Sequence, residues 1–297
     1  MSAHAPLMLG AVAYAPKVVT IWEGFKAWFA ERGVAFDYLL YSNYERQVEA
    51  QFAGDIAFAW NSPLAWVRAE RIARARGEHV QALAMRDTDL DLRSVLVALN
   101  SGVAGRGGAA GAIGELADLR GKTVGFGAVD SPQATLIPLD HLRHQANLVA
   151  GRDYEARRFD LLGGKHGDHI GGEREAASAL VRGEIDATWM IAGNYHAFAN
   201  EGTLPAGATR IVATTAPFDH CNMTVSPGVP EDDVRRFGDI LFAMDWNDAN
   251  VRPLLELEGL KAWRPGRSSG YALLERAVTE ERFYDDAGRI TEPAYRY

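Results

Sequence analysis

Short apolar runs alternate with helical patterns along most of this chain, and this alternation limits the folds open to it. Residues 7–13 form an apolar run suited to a buried strand, and Pro16 stands where a helix commonly begins. Residues 34–40 and 56–60 indicate two further strands, with a short helix at 45–52 between them. This β-α-β-α-β order is typical of an α/β domain with a mostly parallel sheet.

The same order begins again after a glycine- and alanine-rich segment between Asn100 and Gly114, which we expect to be a flexible loop. With 297 residues, the chain is long enough for two domains of ordinary size. The second half predicts strands at 123–126, 155–161, 185–190 and 218–224, helices at 132–144, 173–181, 232–244, 247–256 and 271–278, and a hairpin or arm at 283–297.

One short pattern occurs twice, as GDIAFAW at 54–60 and GEIDATW at 183–189. Two unrelated helix–turn–strand units could agree by chance. The alternative is two lobes of like topology, each with a strand whose carboxyl end faces a shared cleft. Ligands of open α/β sheets bind beyond the carboxyl ends of the strands.

The composition of the chain excludes several classes of function. Acidic residues outnumber basic ones by 39 to 31, so no basic stripe is available for general nucleic-acid binding. A single cysteine, Cys221, excludes an intramolecular disulfide and a site built from several thiolates. No apolar run approaches the ~18 residues of a membrane span. Residues 1–6 lack the basic region of a secretory signal, so we expect a cytoplasmic protein as written, or a periplasmic one if a signal has been removed.

Polar residues follow several predicted strands, where a cleft would lie. They are Tyr14 and Lys17 after the first strand, Asn61 and Ser62 after the third, and Ser131, Gln133 and Thr135 at the start of the 132–144 helix. Ordinary turn chemistry or helix capping alone would also explain them.

The segment GGKHGDHIGG at 163–172 is the most unusual of the chain. Its glycines allow close backbone approach, and His166 and His169 offer hydrogen-bond donors to a ligand. The same two histidines with Asp168 have the composition of a weak metal site, and a solvent-exposed polar loop is a third interpretation. We expect neither a metal nor a cofactor.

Signatures of catalysis are missing. The P-loop, nucleophile-elbow and zinc-protease patterns do not occur. His220 and Cys221 are adjacent, and adjacent strand residues point to opposite faces, so a Cys–His nucleophile is disfavoured. The polar group 219–222 is instead a hinge facing the cleft or a buried cysteine with exposed neighbours. The sequence does not decide whether the protein is an enzyme, although the missing signatures favour a protein that is not one.

Four stretches resemble a known family: 44–65 with its Gly-Asp-Ile core, 116–138 (LADLRGKTVGFGAVDSPQATLIP), 166–189 and 217–271. The chain looks like the type 2 periplasmic binding proteins of the phosphate/phosphite/phosphonate transporter group. That resemblance implies an α/β fold of two lobes, each a mostly parallel sheet flanked by helices, joined by a hinge of two crossing strands. Lobe one would comprise 1–97 plus 222–297 and lobe two 98–221, with the ligand cleft between them.

The resemblance also implies an oxyanion site, carried over here to Tyr14, Asn61, Ser62, Ser131, Thr135 and His166. Two features depart from the family pattern. Ser131-Pro132-Gln133 stands where consecutive hydroxyl residues and a glycine are usual, and a frequent tyrosine before the first crossing strand is replaced by the region Arg86–Asp89.

Two functions follow from the resemblance. The first is a solute-binding protein that captures a small anionic or zwitterionic ligand, with a phosphonate- or phosphate-like oxyanion favoured, for an ABC transporter whose permease would be its partner. It would bind no nucleic acid and would not insert into a membrane. The alternative is a cytoplasmic enzyme or ligand sensor on the same scaffold. The missing catalytic signature favours the first, and the missing signal peptide the second.

Overall fold

Two β-sheets flanked by helices form the architecture. The computed structural model describes residues 6–100, 113–161, 163–167 and 170–297, so most of the predicted glycine-rich loop lies outside the described residues. The strands are β1 (Leu7–Val12), β2 (Phe36–Tyr41), β3 (Phe58–Asn61), β4 (Gln81–Arg86), β5 (Ser94–Leu99), β6 (Thr123–Phe126), β7 (Glu155–Arg158), β8 (Ala187–Ile191), β9 (Thr209–Thr214), β10 (Asn222–Val225) and β11 (Trp263–Pro265). The helices are α1 (Lys17–Glu31), α2 (Tyr44–Ala53), α3 (Pro63–Arg76), α4 (Ile137–Ala146), α5 (Gly171–Val181), α6 (Ala192–Glu201), α7 (Glu231–Phe242), α8 (Arg252–Glu258) and α9 (Ala272–Glu280).

The two sheets share one strand order over five strands, and the first sheet has a sixth strand, β11, at its edge. The first runs β2-β1-β3-β10-β4-β11 and the second β7-β6-β8-β5-β9. The repeated sequence pattern forms β3 and β8, which occupy the same place in the two sheets. Each pairs in parallel with β1 or β6 of its own sheet, and antiparallel with β10 or β5, the strand that the chain enters from the other sheet. The interpretation as two lobes of like topology therefore describes this fold.

The predicted α/β class is confirmed, but strand pairing is more mixed than the mostly parallel sheets expected. Among the described strands, four pairs are parallel and five antiparallel. The reason lies in the crossings between sheets. The chain enters β5 and β10 directly from the other sheet, without the crossover helix that makes successive strands parallel.

Two chain segments, 87–93 and 215–221, connect the sheets and run side by side. Leu92 and Phe218 exchange both backbone hydrogen bonds, at 2.8 and 2.9 Å, and the His220 amide donates to the Asp89 carbonyl at 2.8 Å. These segments are the two crossing strands of the expected hinge.

Local sequence explains where the helices at this hinge begin. Ser62 caps α3 by accepting a hydrogen bond from the Ala65 amide at 3.1 Å, and Pro63 occupies the first turn. Ser131 likewise accepts from the Ala134 amide at 3.2 Å. The helix it caps opens with one π-helical turn, Pro132–Leu136, before α4.

A hydrophobic core is shared between the two units. Val129, Leu136 and Ile137 come from the second unit and pack in one buried cluster with first-unit residues such as Trp66 and Tyr271. The two sheets are therefore joined by apolar packing as well as by the crossing segments.

Throughout the described ranges, every helix is too short or too polar to traverse a bilayer.

Candidate functional site

A cavity of about 350 Å³ lies between the two sheets, beside the crossing segments. Its wall is built by both units, which is the arrangement expected of a ligand cleft. A groove of about 640 Å³ also exists beside α7, but residues of the first unit alone line it. The interlobe cavity is lined by Tyr14, Lys17, Trp60 and Arg86 from the first unit, by Gln133, Gly167, Ile170, Ile191, Gly193 and Asn194 from the second, and by Thr88, Asp89, Leu92, His220 and Cys221 from the crossing segments.

Two helices from different units begin at this cavity. Lys17 opens α1 and Gly193 lies in the first turn of α6, and neither helix has a side-chain cap or an acidic residue in its first turn. First-turn amides have no partner within their helix and carry partial positive charge, which suits an anion. At Gly193 a Cβ atom would meet no other atom within 4 Å. The Ala192 amide donates to the Arg93 carbonyl at 2.9 Å, whereas a side chain at Gly193 would enter open space.

Arg86 and Asp89 form a buried ion pair in the wall. The Arg86 guanidinium donates to both carboxylate oxygens of Asp89, at 2.6 and 2.9 Å, and to the carbonyl of Glu258 at 2.8 Å. Burial alone would raise the pKa of Asp89, but Arg86 and a hydrogen bond from His220 lower it to about 2. The Arg86 charge is thus shared with protein carboxylates.

Lys17 differs from Arg86, because it lies exposed at the cavity mouth. Its Nζ donates to the Leu257 carbonyl at 3.2 Å, and in the described part of the chain no carboxylate lies within ion-pair distance of it. Since one carbonyl leaves two of its three donors available, Lys17 is the cation best placed to meet an anionic ligand.

Glu173 organises the opposite wall. It is fully buried and burial raises its pKa. Its carboxylate accepts hydrogen bonds from Gln133 Nε2 at 3.1 Å, Asn194 Nδ2 at 2.8 Å and the Ile191 amide at 3.0 Å. Gln133 also donates to the Gly167 carbonyl at 3.0 Å. These hydrogen bonds fix the side chains of Gln133 and Asn194 in the cavity wall.

Of the residues predicted from sequence, Tyr14, Lys17 and Gln133 line the cavity. Ser131 and Thr135 are buried at the helix start without lining it, and the Ser131 hydroxyl caps its own helix. Asn61 donates to Gln51 and Thr224 in a buried network under the sheet. His169 lies outside the described residues.

The remaining two, Ser62 and His166, meet each other away from the cavity. The Ser62 hydroxyl lies 2.7 Å from His166 Nδ1, and the Glu45 carboxylate lies 2.8 Å from His166 Nε2. The ring stacks on Tyr44 with centroids 4.9 Å apart. His166 is completely buried and adopts the left-handed backbone conformation, with φ at 49°. In this structure the Glu45 carboxylate and the Ser62 hydroxyl are its hydrogen-bonding partners.

Several cavity residues were not predicted as ligand contacts: Trp60, Arg86, Asp89, Gly193, Asn194, His220 and Cys221. One interpretation of the polar residues 219–222 was a hinge that faces the cleft. His220 and Cys221 do face the cavity. Trp60 is both buried and part of the wall. No sequence pattern indicated Gly193 and Asn194, because they reach the cavity only through the direction in which α6 runs.

Comparisons with known proteins agree on the architecture. The family model described as ABC transporter, phosphonate, periplasmic substrate-binding protein matches residues 11–271. PhnD1 from Prochlorococcus marinus, solved in complex with methylphosphonate, has 16% identity and a TM-score of 0.66, covering 93% of this chain and 98% of that one. XAC2383 from Xanthomonas citri, bound to ATP, has 16% identity and a TM-score of 0.69, covering 93% of this chain and 98% of that one.

A third solved structure is the aliphatic sulphonate binding protein SsuA from Escherichia coli, with 15% identity, a TM-score of 0.56, and coverage of 98% of this chain and 94% of that one. Identities this low establish the fold alone, whereas the family model spans most of the chain. By that match, the chain belongs to the periplasmic substrate-binding proteins of phosphonate ABC transporters.

Proposed function

We propose that this protein captures an organic oxyanion, with an organophosphonate favoured, in the cavity between its two units and delivers it to an ABC-transporter permease. The observation that carries the proposal is the convergence of two helix N-termini without side-chain caps, from different units, on one cavity with Lys17 at its mouth. Amide groups and one cation would bind the anionic head.

The cavity size and its apolar wall support an organic substituent on the ligand. A water molecule occupies about 30 Å³ in the liquid, so a volume near 350 Å³ greatly exceeds that of inorganic phosphate. Trp60, Leu92, Ile170 and Ile191 would contact the substituent. Methylphosphonate in PhnD1 and ATP in XAC2383 show that proteins of this fold take phosphorus oxyanions of very different size.

The proposal includes two lobes that close on the ligand by bending at the crossing segments. Lobe two was expected to span 98–221, between the two parts of lobe one, 1–97 and 222–297. Because β5 begins at Ser94 and pairs with β8 and β9, we draw the first boundary after Arg93. Transport follows only if a permease recognises the closed form.

Two substitutions at Gly193 test whether the cavity binds an anion. We expect Gly193→Asp to place a carboxylate in front of the α6 amides, where it competes with the ligand anion. An acidic residue in the first turn of a helix interacts favourably with the helix dipole, which opposes a loss of stability. Gly193→Ala is the matched control, because a methyl group meets no atom within 4 Å.

The measurement is isothermal titration of the full chain with phenylphosphonate, methylphosphonate, a butanesulfonate and inorganic phosphate. We expect the organic anions to bind more tightly than phosphate, Gly193→Asp to lower affinity at least about 10-fold, and Gly193→Ala to change it little. Failure of every anion to bind, or equal affinity in Gly193→Asp, would contradict the proposal. Chemical conversion of a bound phosphonate would instead favour an enzyme on this scaffold.

A further inference from the structure

Three metal-binding side chains of different type meet in the cavity wall. The Nδ1 atom of His220 lies 3.1 Å from the Sγ of Cys221 and 3.5 Å from Oδ1 of Asp89. All three residues are buried, and their ligand atoms lie within 4.8 Å of one another. With metal bonds of 2.0–2.3 Å, the ligand atoms of a tetrahedral zinc site lie about 3.3–3.8 Å apart. The observed spacing is close to that geometry.

The charge around this group leaves room for a cation. Arg86 donates to Asp89, and Oε1 of Glu258 lies 3.4 Å from Arg86 Nη1. Two carboxylates thus face one guanidinium. When Cys221 binds a metal it loses its proton to solvent, which adds a further negative charge.

The ion pair with Arg86 does not block the site. Arg86 donates to Oδ2 of Asp89 through Nε and to Oδ1 through Nη2. An ionised carboxylate has about four lone-pair positions, so Oδ1 keeps one on the side of His220. Hydrogen bonds of this kind commonly orient the carboxylates that ligate metals.

We propose that Asp89, His220 and Cys221 bind a divalent, thiol-seeking metal ion such as Zn²⁺ in the wall of the interlobe cavity. Three protein ligands leave a fourth position open, as in sites that bind an exogenous ligand. Because all three residues line the cavity, we expect an oxyanion held there to reach the open position. The metal site itself stands independently of which anion the cavity takes.

Another group with metal-binding side chains, Asp140, His144 and Glu280, fits a metal less well. His144 is exposed and Glu280 only half-buried, whereas all three residues of the proposed site are buried. Arg143 lies beside Glu280. That group contains no thiol, which makes it a useful internal reference.

The test uses the full-length protein, treated with a chelator and titrated with Co²⁺ while its absorption spectrum is recorded, and with Zn²⁺ by calorimetry. We expect one ion per chain and a thiolate-to-cobalt charge-transfer band. Cys221→Ser should abolish the band, and Asp89→Asn or His220→Gln should lower Zn²⁺ affinity at least about 10-fold. His144→Gln should leave both readouts unchanged.

The spectrum of the unaltered protein decides the question even if a variant folds poorly. Absence of the charge-transfer band at saturating Co²⁺ would overturn the proposal. So would a Zn²⁺ affinity that His144→Gln lowers and Cys221→Ser does not. Anion binding is measured separately in metal-free buffer, so failure of the metal site and failure of the oxyanion site give different results.

Discussion

At the scale of single residues, the buried contact between Glu45 and His166 ties the two units together. Glu45 lies on α2, and His166 lies in a loop of the second unit. The loop is anchored by Asp130, whose carboxylate accepts from the Gly164 amide at 2.7 Å and from the His166 amide at 3.3 Å. Lys165 reaches the Ser42 carbonyl at 2.6 Å. The loop is therefore fastened to both units by polar contacts.

Replacing Glu45 tests this contact. Burial would raise the pKa of Glu45, but the nearby His166 ring, the hydrogen bonds from His166 and Tyr295, and the charge of Arg68 lower it below its ordinary value. Removing one partner of a buried ion pair costs about 3–5 kcal/mol. We expect Glu45→Gln to lower the free energy of unfolding at pH 7 by roughly that amount, measured by urea denaturation.

The same variant should change the pH dependence of stability. Since the pKa of Glu45 is lower in the folded chain than in the unfolded one, its stabilisation is present above the unfolded value and lost as pH falls through the folded value. Glu45→Gln should therefore flatten the loss of stability in acid. Glu49→Gln, on the more exposed side of the same helix, is the control. Equal effects of the two changes would show that Glu45 has no special role.

At the scale of elements, the C-terminal arm (283–297) covers the loop that carries His166. Tyr295 is 3% exposed, packs on Phe283 with ring centroids 5.0 Å apart, and places its hydroxyl 3.3 Å from His166 Nε2. At Gly163 a Cβ atom would lie 2.6 Å from the Arg296 carbonyl oxygen. Only glycine allows the arm to approach the loop this closely.

Truncating Tyr295 should therefore destabilise the chain. Replacement of a buried large aromatic residue by alanine costs about 3–5 kcal/mol. We expect Tyr295→Ala to lower the free energy of unfolding by about that much and Tyr295→Phe to retain most of it. Tyr297→Ala is the control, because Tyr297 is 46% exposed and such changes stay within about 0.5 kcal/mol. Comparable losses in Tyr295→Ala and Tyr297→Ala urea curves would argue against a packed arm.

At the scale of the whole molecule, the shared core decides how the chain unfolds. Ile137 is buried in the cluster that spans both units, whereas Leu142, one turn and a half further along α4, is buried in a cluster of the second unit alone. Apolar packing between units couples their unfolding, so we expect one calorimetric transition with equal calorimetric and van't Hoff enthalpies.

Two alanine variants separate coupling from stability. Each should cost about 2–5 kcal/mol, because both side chains are fully buried. Ile137→Ala should broaden or split the transition by weakening the contact between units, while Leu142→Ala should lower the melting temperature of a single transition. A transition that stays single and sharp in Ile137→Ala would place the coupling in the crossing segments instead.

Local chemistry made much of the fold predictable. Apolar periodicity located most strands and helices, Ser62 and Ser131 marked helix starts, and Gly54 ends α2 in the left-handed conformation that glycine favours. The repeated Gly-x-Ile pattern indicated two similar units, which the shared strand order bears out. These signals act over a few residues, so a single sequence carries them.

Only the tertiary structure decided strand direction and the lining of the cavity. β5 and β10 run antiparallel to their neighbours because the chain enters them from the other sheet, which no local pattern records. His166 looked like a ligand contact, yet α2, 121 residues earlier, supplies the carboxylate that meets it. The sequence by itself determined the elements and their family, and the packing of distant segments determined which side chains face the cavity, because those contacts form only when both units are assembled.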